Sequence, residues 1–371
     1  MIKYCLFIIL VLTGSFCHGQ NQKVADSLIA LYNSGSYTMD EFDLIDKIAA
    51  NETDAQVSLK FAELLIQKAA KDSVFKKLYK GYLHKGNAYQ LIGQQALALE
   101  SFFMSQKFAL RTGEENSLGS AKISIAGTYA NMNNSSNATY YYKESIDLFR
   151  KLHDSIGLAS ALNNLGDLYI TEEKLDSALI LTQEASAIFN ILDHTLGRAY
   201  SMGNTGMIYA KQHKDALAEI YLKGPIQTLE EFEDYYPVCV YLIYLSDIYE
   251  RKNQWEQAFA YAEKSLKLAE IQGLIMQISD ANLKLAELYE KKGNYKNSNL
   301  HLKKYFTFRD SILNIKTVEK MADLRTNFEL AQKQIEVDLL EEKQGKQRIT
   351  LTSSIVAFAL ISLLAIGLFH R

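Results

Sequence analysis

The chain has 371 residues and a formal net charge of −3, with 40 lysines and arginines against 43 aspartates and glutamates. This length excludes a disulfide-stapled miniprotein, and the near-neutral charge argues against a dedicated nucleic-acid-binding protein, which normally carries a basic excess. Hydrophobic residues make up 48% of the sequence, which excludes wholesale disorder. Two prolines and 19 glycines, against 23 tyrosines, favour helices.

Residues 1–20 predict a secretory signal peptide. Lys3 supplies a basic start, a short apolar segment follows, and residues 17–19 give a small-x-small pattern for cleavage. Lipidation at Cys17 is an open alternative. Cleavage beyond that position would leave Cys239 as the sole cysteine, and a sole cysteine in a helical stretch is expected to be a small buried apolar residue.

Residues 21–78 are predicted to form N-terminal capping helices. A short helix is expected at 23–33 and a degenerate helix pair at 40–70. Thr53 is expected to be the N-cap of the second helix of that pair, because a threonine hydroxyl accepts hydrogen bonds from free N–H groups at a helix start.

A tyrosine recurs every 40 residues through the middle of the chain, at Tyr89, Tyr129, Tyr169, Tyr209, Tyr249 and Tyr289. A small residue lies three positions before each tyrosine and another lies nine positions after it, as Gly166 and Ala178 do around Tyr169. In a stack of helix pairs, small residues lie where two helices cross closely, and the tyrosine fills the space between neighbouring pairs. The pattern predicts six repeats over 79–310.

The helices of the second repeat are expected at 119–132 and 136–151, and the other repeats follow in steps of 40 residues. Pro225 is expected to break the second helix of the fourth repeat, because proline removes a backbone donor. This break could widen the array locally, or it could be an early helix end without functional meaning.

The repeats resemble the tetratricopeptide repeat, whose Leu-Gly-x-x-Tyr pattern followed by alanine appears here as Leu165-Gly166-Asp167-Leu168-Tyr169 and Ala178. The usual period is about 34 residues. The longer period here, and the segment 160–166, are similar to the repeats of kinesin light chains and of Pins-type G-protein regulators. The resemblance covers 79–310 and implies an all-α, right-handed superhelical solenoid that binds proteins or peptides.

Residues 311–348 predict a long charged helix. Apolar residues at alternating spacings of three and four form a seam of about two heptads, from Met321 to Ile335. Within 311–347 the seam could form a dimeric stalk, giving a homodimer. It could equally pack on the last repeat as a cap.

Residues 349–369 contain no charged residue and would span about 31 Å as a helix. A transmembrane helix is predicted, with a buried core helix as the alternative. Together with a cleaved leader, this helix would hold the repeats in the periplasm, anchored to the cytoplasmic (inner) membrane. Lys343, Lys346 and Arg348 would then lie on the outer side, against the usual cytoplasmic bias of basic residues.

The order of repeats, charged helix and single span resembles the sensor half of the repeat-bearing membrane regulators of the Bacteroidetes. In that group the span leads to a histidine kinase or a helix-turn-helix module. This sequence ends two residues after the predicted span, so neither kinase nor DNA-binding activity is expected of it. The order favours an input module of a signalling regulator. A structural scaffold for an envelope protein complex is the alternative.

Sequence motifs for catalysis are not found. The seven histidines are scattered, without a HExxH motif or a Cys/His cluster, and neither a phosphate-binding glycine loop nor a Gly-x-Ser-x-Gly motif occurs. We therefore expect no enzyme activity, no cofactor and no metal site.

Binding residues are predicted on the first helices of the repeats, which should line a concave groove. Asn164 and Asn204 are one repeat apart and should face solvent in the empty protein. The other asparagines near this face are Asn87, Asn131 and Asn163. Amide side chains offer both a donor and an acceptor, so they could hold the backbone of an extended peptide, or they could be merely solvated.

Acidic residues continue this face toward the C-terminal repeats. The predicted binding residues among them are Asp247, Glu250 and Glu287, and Asp280 and Glu290 lie nearby. Clustered in a concavity, they would favour a basic segment of the ligand. A charged helix face is otherwise simply solvated.

Overall fold

The computed structural model describes residues 22–312 together with 333, 337, 344–349, 352 and 353. Fifteen helices and no strand lie between 22 and 312, which confirms an all-α helical repeat solenoid for this described part. Three helices come first: α1 (Gln22–Ser34), α2 (Glu41–Asn51) and α3 (Ala55–Lys71).

Six helix pairs follow. They are α4 (Phe75–Leu91) with α5 (Gln95–Thr112), α6 (Glu115–Asn131) with α7 (Ser135–Leu152), α8 (Ser155–Thr171) with α9 (Leu175–Ile191), α10 (Thr195–Lys211) with α11 (Asp215–Glu231), α12 (Tyr235–Arg251) with α13 (Trp255–Gln272), and α14 (Ile275–Lys291) with α15 (Tyr295–Ile312). The first helices begin at 40-residue steps. They begin earlier than predicted, at Glu115 rather than 119 in the second pair, because the turns between pairs are short.

Left-handed residues explain why the turns are short and regular. They occur at 20-residue intervals from Ser73 to Gly293. Within the pairs, the next N–H returns to the carbonyl of the repeated tyrosine, as Lys174 N does to Tyr169 O at 2.8 Å. This six-to-one hydrogen bond is that of a Schellman motif, which satisfies a carbonyl that the helix end leaves free. Each helix with its turn therefore takes 20 residues, and each pair takes 40.

Repeated small residues lie where the two helices of a pair cross. The alanines nine positions after the tyrosines have no exposed surface: Ala98, Ala138, Ala178, Ala218 and Ala258. A Cβ added at Gly166 would lie 2.7 Å from Thr182 Oγ1 of the partner helix, a distance too short for a carbon atom. Close crossings of this kind require the small residue types that recur in the sequence.

The ring of Phe149 on α7 shows how neighbouring pairs pack. It has no exposed surface. A Cβ added at Gly119 on α6 would lie 2.5 Å from this ring, and a Cβ added at Gly157 on α8 would lie 2.4 Å from it. The two glycines therefore make the space that the ring fills between the second and third pairs.

Two predictions about helix termini are wrong. Helix α11 continues through Pro225 to Glu231. The preceding residue is Gly224, which has no Cβ to clash with the proline ring, so the helical conformation before the proline is tolerated. The N-cap of α3 is Asp54 rather than Thr53, because the Asp54 carboxylate accepts from Gln56 N at 2.8 Å and from Val57 N at 3.2 Å.

The predicted signal peptide at 1–20 lies outside the described residues, as do most of the charged helix at 311–348 and most of the predicted span at 349–369. Among the positions that the structure does describe, none belongs to a helix with the length and apolar character needed to cross a bilayer.

Candidate functional site

The first helices of the pairs border an internal cavity of about 540 Å³. Side chains from α4, α6, α8, α10, α12 and α14 all contribute to its wall, and α2 contributes at one end. The successive helices present the same positions of the 40-residue repeat: residues 87, 127, 167 and 207 all border the cavity. The cavity is therefore the inner surface of the array.

Distant parts of the array meet beside the cavity, which Leu91, Leu274 and Met276 all border. The backbone N–H of Gln22 donates to Glu233 Oε2 at 3.1 Å, and Gln95 Nε2 donates to Met276 Sδ at 3.8 Å. Leu91 packs against the buried cluster that contains Leu274. We call these residues the closing contact: Gln22, Leu91 and Gln95 on one side, and Glu233, Leu274 and Met276 on the other.

All five predicted asparagines border the cavity, at Asn87, Asn131, Asn163, Asn164 and Asn204. Asn164 is half-buried, and its side chain has no hydrogen-bond partner in the described part of the chain. Asn204 does not face solvent as expected, since it is only 4% exposed. Its Nδ2 donates to the backbone oxygen of Asn163 at 3.1 Å, because its side chain lies on the side of α10 that meets α8.

The predicted acidic residues do not border the cavity and are partly neutralised. Lys284 Nζ lies 2.6 Å from Glu250 Oε2 and also forms an ion pair with Asp247. Glu250 forms a second ion pair, with Lys291. Glu287 is exposed. Lys284 was not predicted, although it stands at the repeat position of Asn164 and Asn204 and could have been found by steps of 40 residues.

Asp167 is a cavity residue that the sequence reasoning missed. It occupies the same repeat position as Asn87, Asp247 and Glu287, all of which were predicted. Its side chain is exposed and borders the cavity. Desolvation by the surrounding protein raises the pKa of its carboxyl to about 6. The signal that could have identified it is its position exactly two repeats after Asn87.

Tyrosines and a second aspartate also border the cavity. The hydroxyl of Tyr200 donates to Asp234 Oδ2. Burial raises the pKa of Asp234, although this hydrogen bond acts in the opposite direction. Tyr236 and Tyr241 line the wall beside it. Among the described residues that border the cavity, none is a lysine or an arginine.

Cys239 is fully buried, as predicted. Its Sγ donates to the backbone oxygen of Ser265 at 3.6 Å, and burial raises the pKa of its thiol to about 12. Within the described residues, no group of three or more histidine, cysteine, aspartate or glutamate side chains could hold a metal ion.

A family model, the tetratricopeptide repeat, matches residues 117–191. No curated protein matches the chain. A Rap conjugation gene regulator of the plasmid pLS20, solved in complex with the Phr* peptide, is similar in structure at 16% identity and a TM-score of 0.61, covering 79% of this chain and 86% of its own. A Rap protein complexed with competence and sporulation factor has 14% identity and a TM-score of 0.53, covering 80% of this chain and 94% of its own. The apo form of RapI has 13% identity and a TM-score of 0.54, covering 74% of this chain and 99% of its own. At these identities the similarity shows the fold, which is a helical solenoid of the tetratricopeptide-repeat type.

Proposed function

We propose that this chain is a protein- or peptide-binding module whose ligand occupies the cavity inside the array. The observation that carries the proposal is the cavity of about 540 Å³, bordered by five asparagines on successive first helices. This volume lies within the range of about 300–1,000 Å³ that is typical of ligand sites. The two structurally similar Rap proteins solved with the Phr* peptide and with competence and sporulation factor support it.

Asn164 is the residue best placed to hold a peptide backbone. Its amide is half-buried at the cavity wall and makes no hydrogen bond within the described chain, so both its donor and its acceptor are available. Asn204, one repeat later, already uses Nδ2 to hold α8, which leaves its Oδ1 to accept from a ligand N–H. The two side chains would bind the backbone without reading its sequence.

The experiment that tests this proposal compares Asn164→Ala with the parent chain. A peptide selected on the full chain from a random library would be titrated against each variant. Loss of the amide leaves peptide groups unpaired at a partly buried site, so affinity should fall by about 1–3 kcal/mol. The melting temperature should hardly change, because Asn164 holds no other part of the protein.

Asn190→Ala is the matched control, because it removes an exposed amide from α9 outside the cavity. Asn204→Ala should weaken both binding and folding, since its side chain also joins two helices. Unchanged affinity in the Asn164 variant would show that its amide is only solvated surface.

The proposal also includes the right-handed sense of the solenoid, the long charged helix at 311–348 as a homodimerisation element and the membrane anchor at 349–369. The module would then be the periplasmic input part of a signal-transduction regulator held in the inner membrane. The supporting observations are the apolar run and the leader-like N-terminus in the sequence. A structural scaffold for an envelope complex is the alternative, and co-purification with a stable envelope complex would favour it.

The topology has its own test. Protease added to spheroplasts should digest the repeats while a cytoplasmic marker stays intact, because a periplasmic domain is exposed to the medium once the outer layers are removed. The measurement is an immunoblot with antibodies against the repeats. Repeats that survive together with the marker would place the module on the cytoplasmic side and would refute this part of the proposal.

A further inference from the structure

The cavity carries carboxylates without balancing bases. Three acidic residues border it, namely Asp167, Glu233 and Asp234, and the bordering residues that the structure describes include neither lysine nor arginine. The two histidines at its wall are engaged. His84 Nε2 lies 2.8 Å from Asp46 Oδ1, and His194 Nδ1 accepts from Gly197 N at 2.9 Å. An anionic ligand would therefore meet only like charge.

The three carboxylates differ in what they already bind. Glu233 accepts from Gln22 N in the closing contact, and Asp234 accepts from the hydroxyl of Tyr200. The Asp167 carboxylate has neither a hydrogen bond nor an ion pair within the described chain. An ionised carboxylate that has no partner and is partly desolvated by the surrounding protein is stabilised when a cation binds beside it.

A second observation on the same helix points to a ligand with hydrogen-bond donors. Asn163 borders the cavity, is only 7% exposed, and its Oδ1 accepts no hydrogen bond. It lies four residues before Asp167 on α8, so the two side chains share one face one turn apart. Asn163 Oδ1 and the Asp167 carboxylate both lack a donor, and an ammonium or guanidinium group offers donors of the kind they lack.

Aromatic rings lie within the electrostatic reach of Asp167. Burial raises the pKa of Tyr142 and Tyr236 above the ordinary value, and the charge of Asp167 adds to the increase in each. Tyr142 and Tyr236 both border the cavity. Tyrosine faces attract cations, so the wall around the carboxylate suits the same ligand group.

We propose that Asp167, with Asn163 beside it, binds the cationic group of a peptide ligand, either a lysine or arginine side chain or a free amino terminus. The inference rests on the proposed function, because it names the chemistry of the ligand that the same cavity takes. The site differs from Asp247 and Glu250, whose charges Lys284 and Lys291 already pair.

The test begins with selection of peptides from a random library on the full chain, followed by titration of one selected peptide in three synthetic forms. One form is unmodified, one has its lysine or arginine replaced by norleucine, and one is acetylated at its amino terminus. The protein variants are Asp167→Asn, which removes the charge but keeps the shape, and Glu287→Gln. Glu287 is the matched control because it occupies the same repeat position but lies outside the cavity wall.

Asp167→Asn should weaken the unmodified peptide by about 10- to 100-fold, the effect of losing a hydrogen bond to a charged group. If Asp167 binds a side chain, the norleucine form should bind the parent and Asp167→Asn equally. If it binds the amino terminus, the acetylated form should do so. Glu287→Gln should change affinity less than about 2-fold. The melting temperature of Asp167→Asn should not fall, since the lost charge has no partner in the fold.

The outcomes separate this inference from the function on which it rests. Selected peptides that bind Asp167→Asn as tightly as the parent, while Asn164→Ala weakens them, would overturn the cation site and leave the binding function standing. Failure of the full chain to select any peptide would overturn both. Selected peptides rich in lysine and arginine, with affinity that depends on Asp167, are the expected result.

Discussion

Replacing Phe149 with alanine is expected to lower the free energy of unfolding by about 3–5 kcal/mol. The side chain has no exposed surface, and its ring fills the space that Gly119 and Gly157 leave between the second and third pairs. Removing the ring both exposes apolar surface and opens a cavity that the flanking backbones cannot close. The measurement is denaturant unfolding followed by circular dichroism.

A second substitution tests whether the loss of stability comes from the contact between the Phe149 ring and Gly157. Gly157→Ala alone should destabilise by about 1–3 kcal/mol, because its Cβ would meet the ring at 2.4 Å. In the Phe149→Ala background the same methyl group enters vacated space and should cost nothing. Ile191→Ala, at a side chain that is 84% exposed, should stay within about 0.5 kcal/mol. Additive effects of the two core substitutions would contradict the contact.

Lys284→Met is expected to destabilise the protein by about 3–5 kcal/mol. The Lys284 side chain is only 4% exposed and joins Asp247 and Glu250, so its loss leaves Asp247 without its ion pair and Glu250 with Lys291 alone. Burial alone would lower the pKa of Lys284, but the two carboxylates outweigh it and the net shift is upward. Lys267→Met, at an exposed lysine on α13, is the control and should have little effect.

The pH dependence of the stability difference between the parent and Lys284→Met tests whether the ion pair with Glu250 is its cause. Burial acts to raise the pKa of Glu250, but hydrogen bonds from Lys284 and Lys291 lower it below the ordinary value of 4.5. A lowered carboxyl pKa stabilises the fold above that ordinary value, and the stabilisation is lost as the pH falls through the folded-state pKa. The gap between the parent and Lys284→Met should therefore be widest near neutral pH and shrink in acid. Adding Glu250→Gln to Lys284→Met should recover part of the lost stability. A stability difference that does not depend on pH would exclude the ion pair as the cause of that loss.

The repeat architecture could be predicted from the sequence because each 40-residue unit has the same local contacts. The tyrosine, the small residue before it and the alanine after it are constrained by one helix crossing that recurs in every pair, so the pattern is visible without the structure. The five asparagines were placed on the inner surface for the same reason. Because the same helix crossing recurs in every unit, recognising it once predicts the positions of equivalent residues in all six pairs.

Features that break the repeat could not be predicted this way. Lys284 and Asp167 occupy familiar repeat positions with unexpected charges. The role of Lys284 depends on Asp247 and Glu250 in the preceding repeat, and that of Asp167 depends on the space it borders. The continuity of α11 depends on a single glycine before Pro225, which outweighs the usual effect of proline. Gln95 and Met276 are 181 residues apart, and no periodic pattern within one unit encodes their contact.

The closing contact has a consequence for how the protein unfolds. In an open repeat array each unit touches only its neighbours, so the terminal units can fray while the centre stays folded. Here the first pair is held by the residues that begin the sixth, and neither can detach without breaking contacts with the other. We therefore expect the unfolding of the first and sixth pairs to be coupled. The number of repeats is fixed as well, since removing one 40-residue unit would carry Gln95 away from Met276 even though every local turn would still fit.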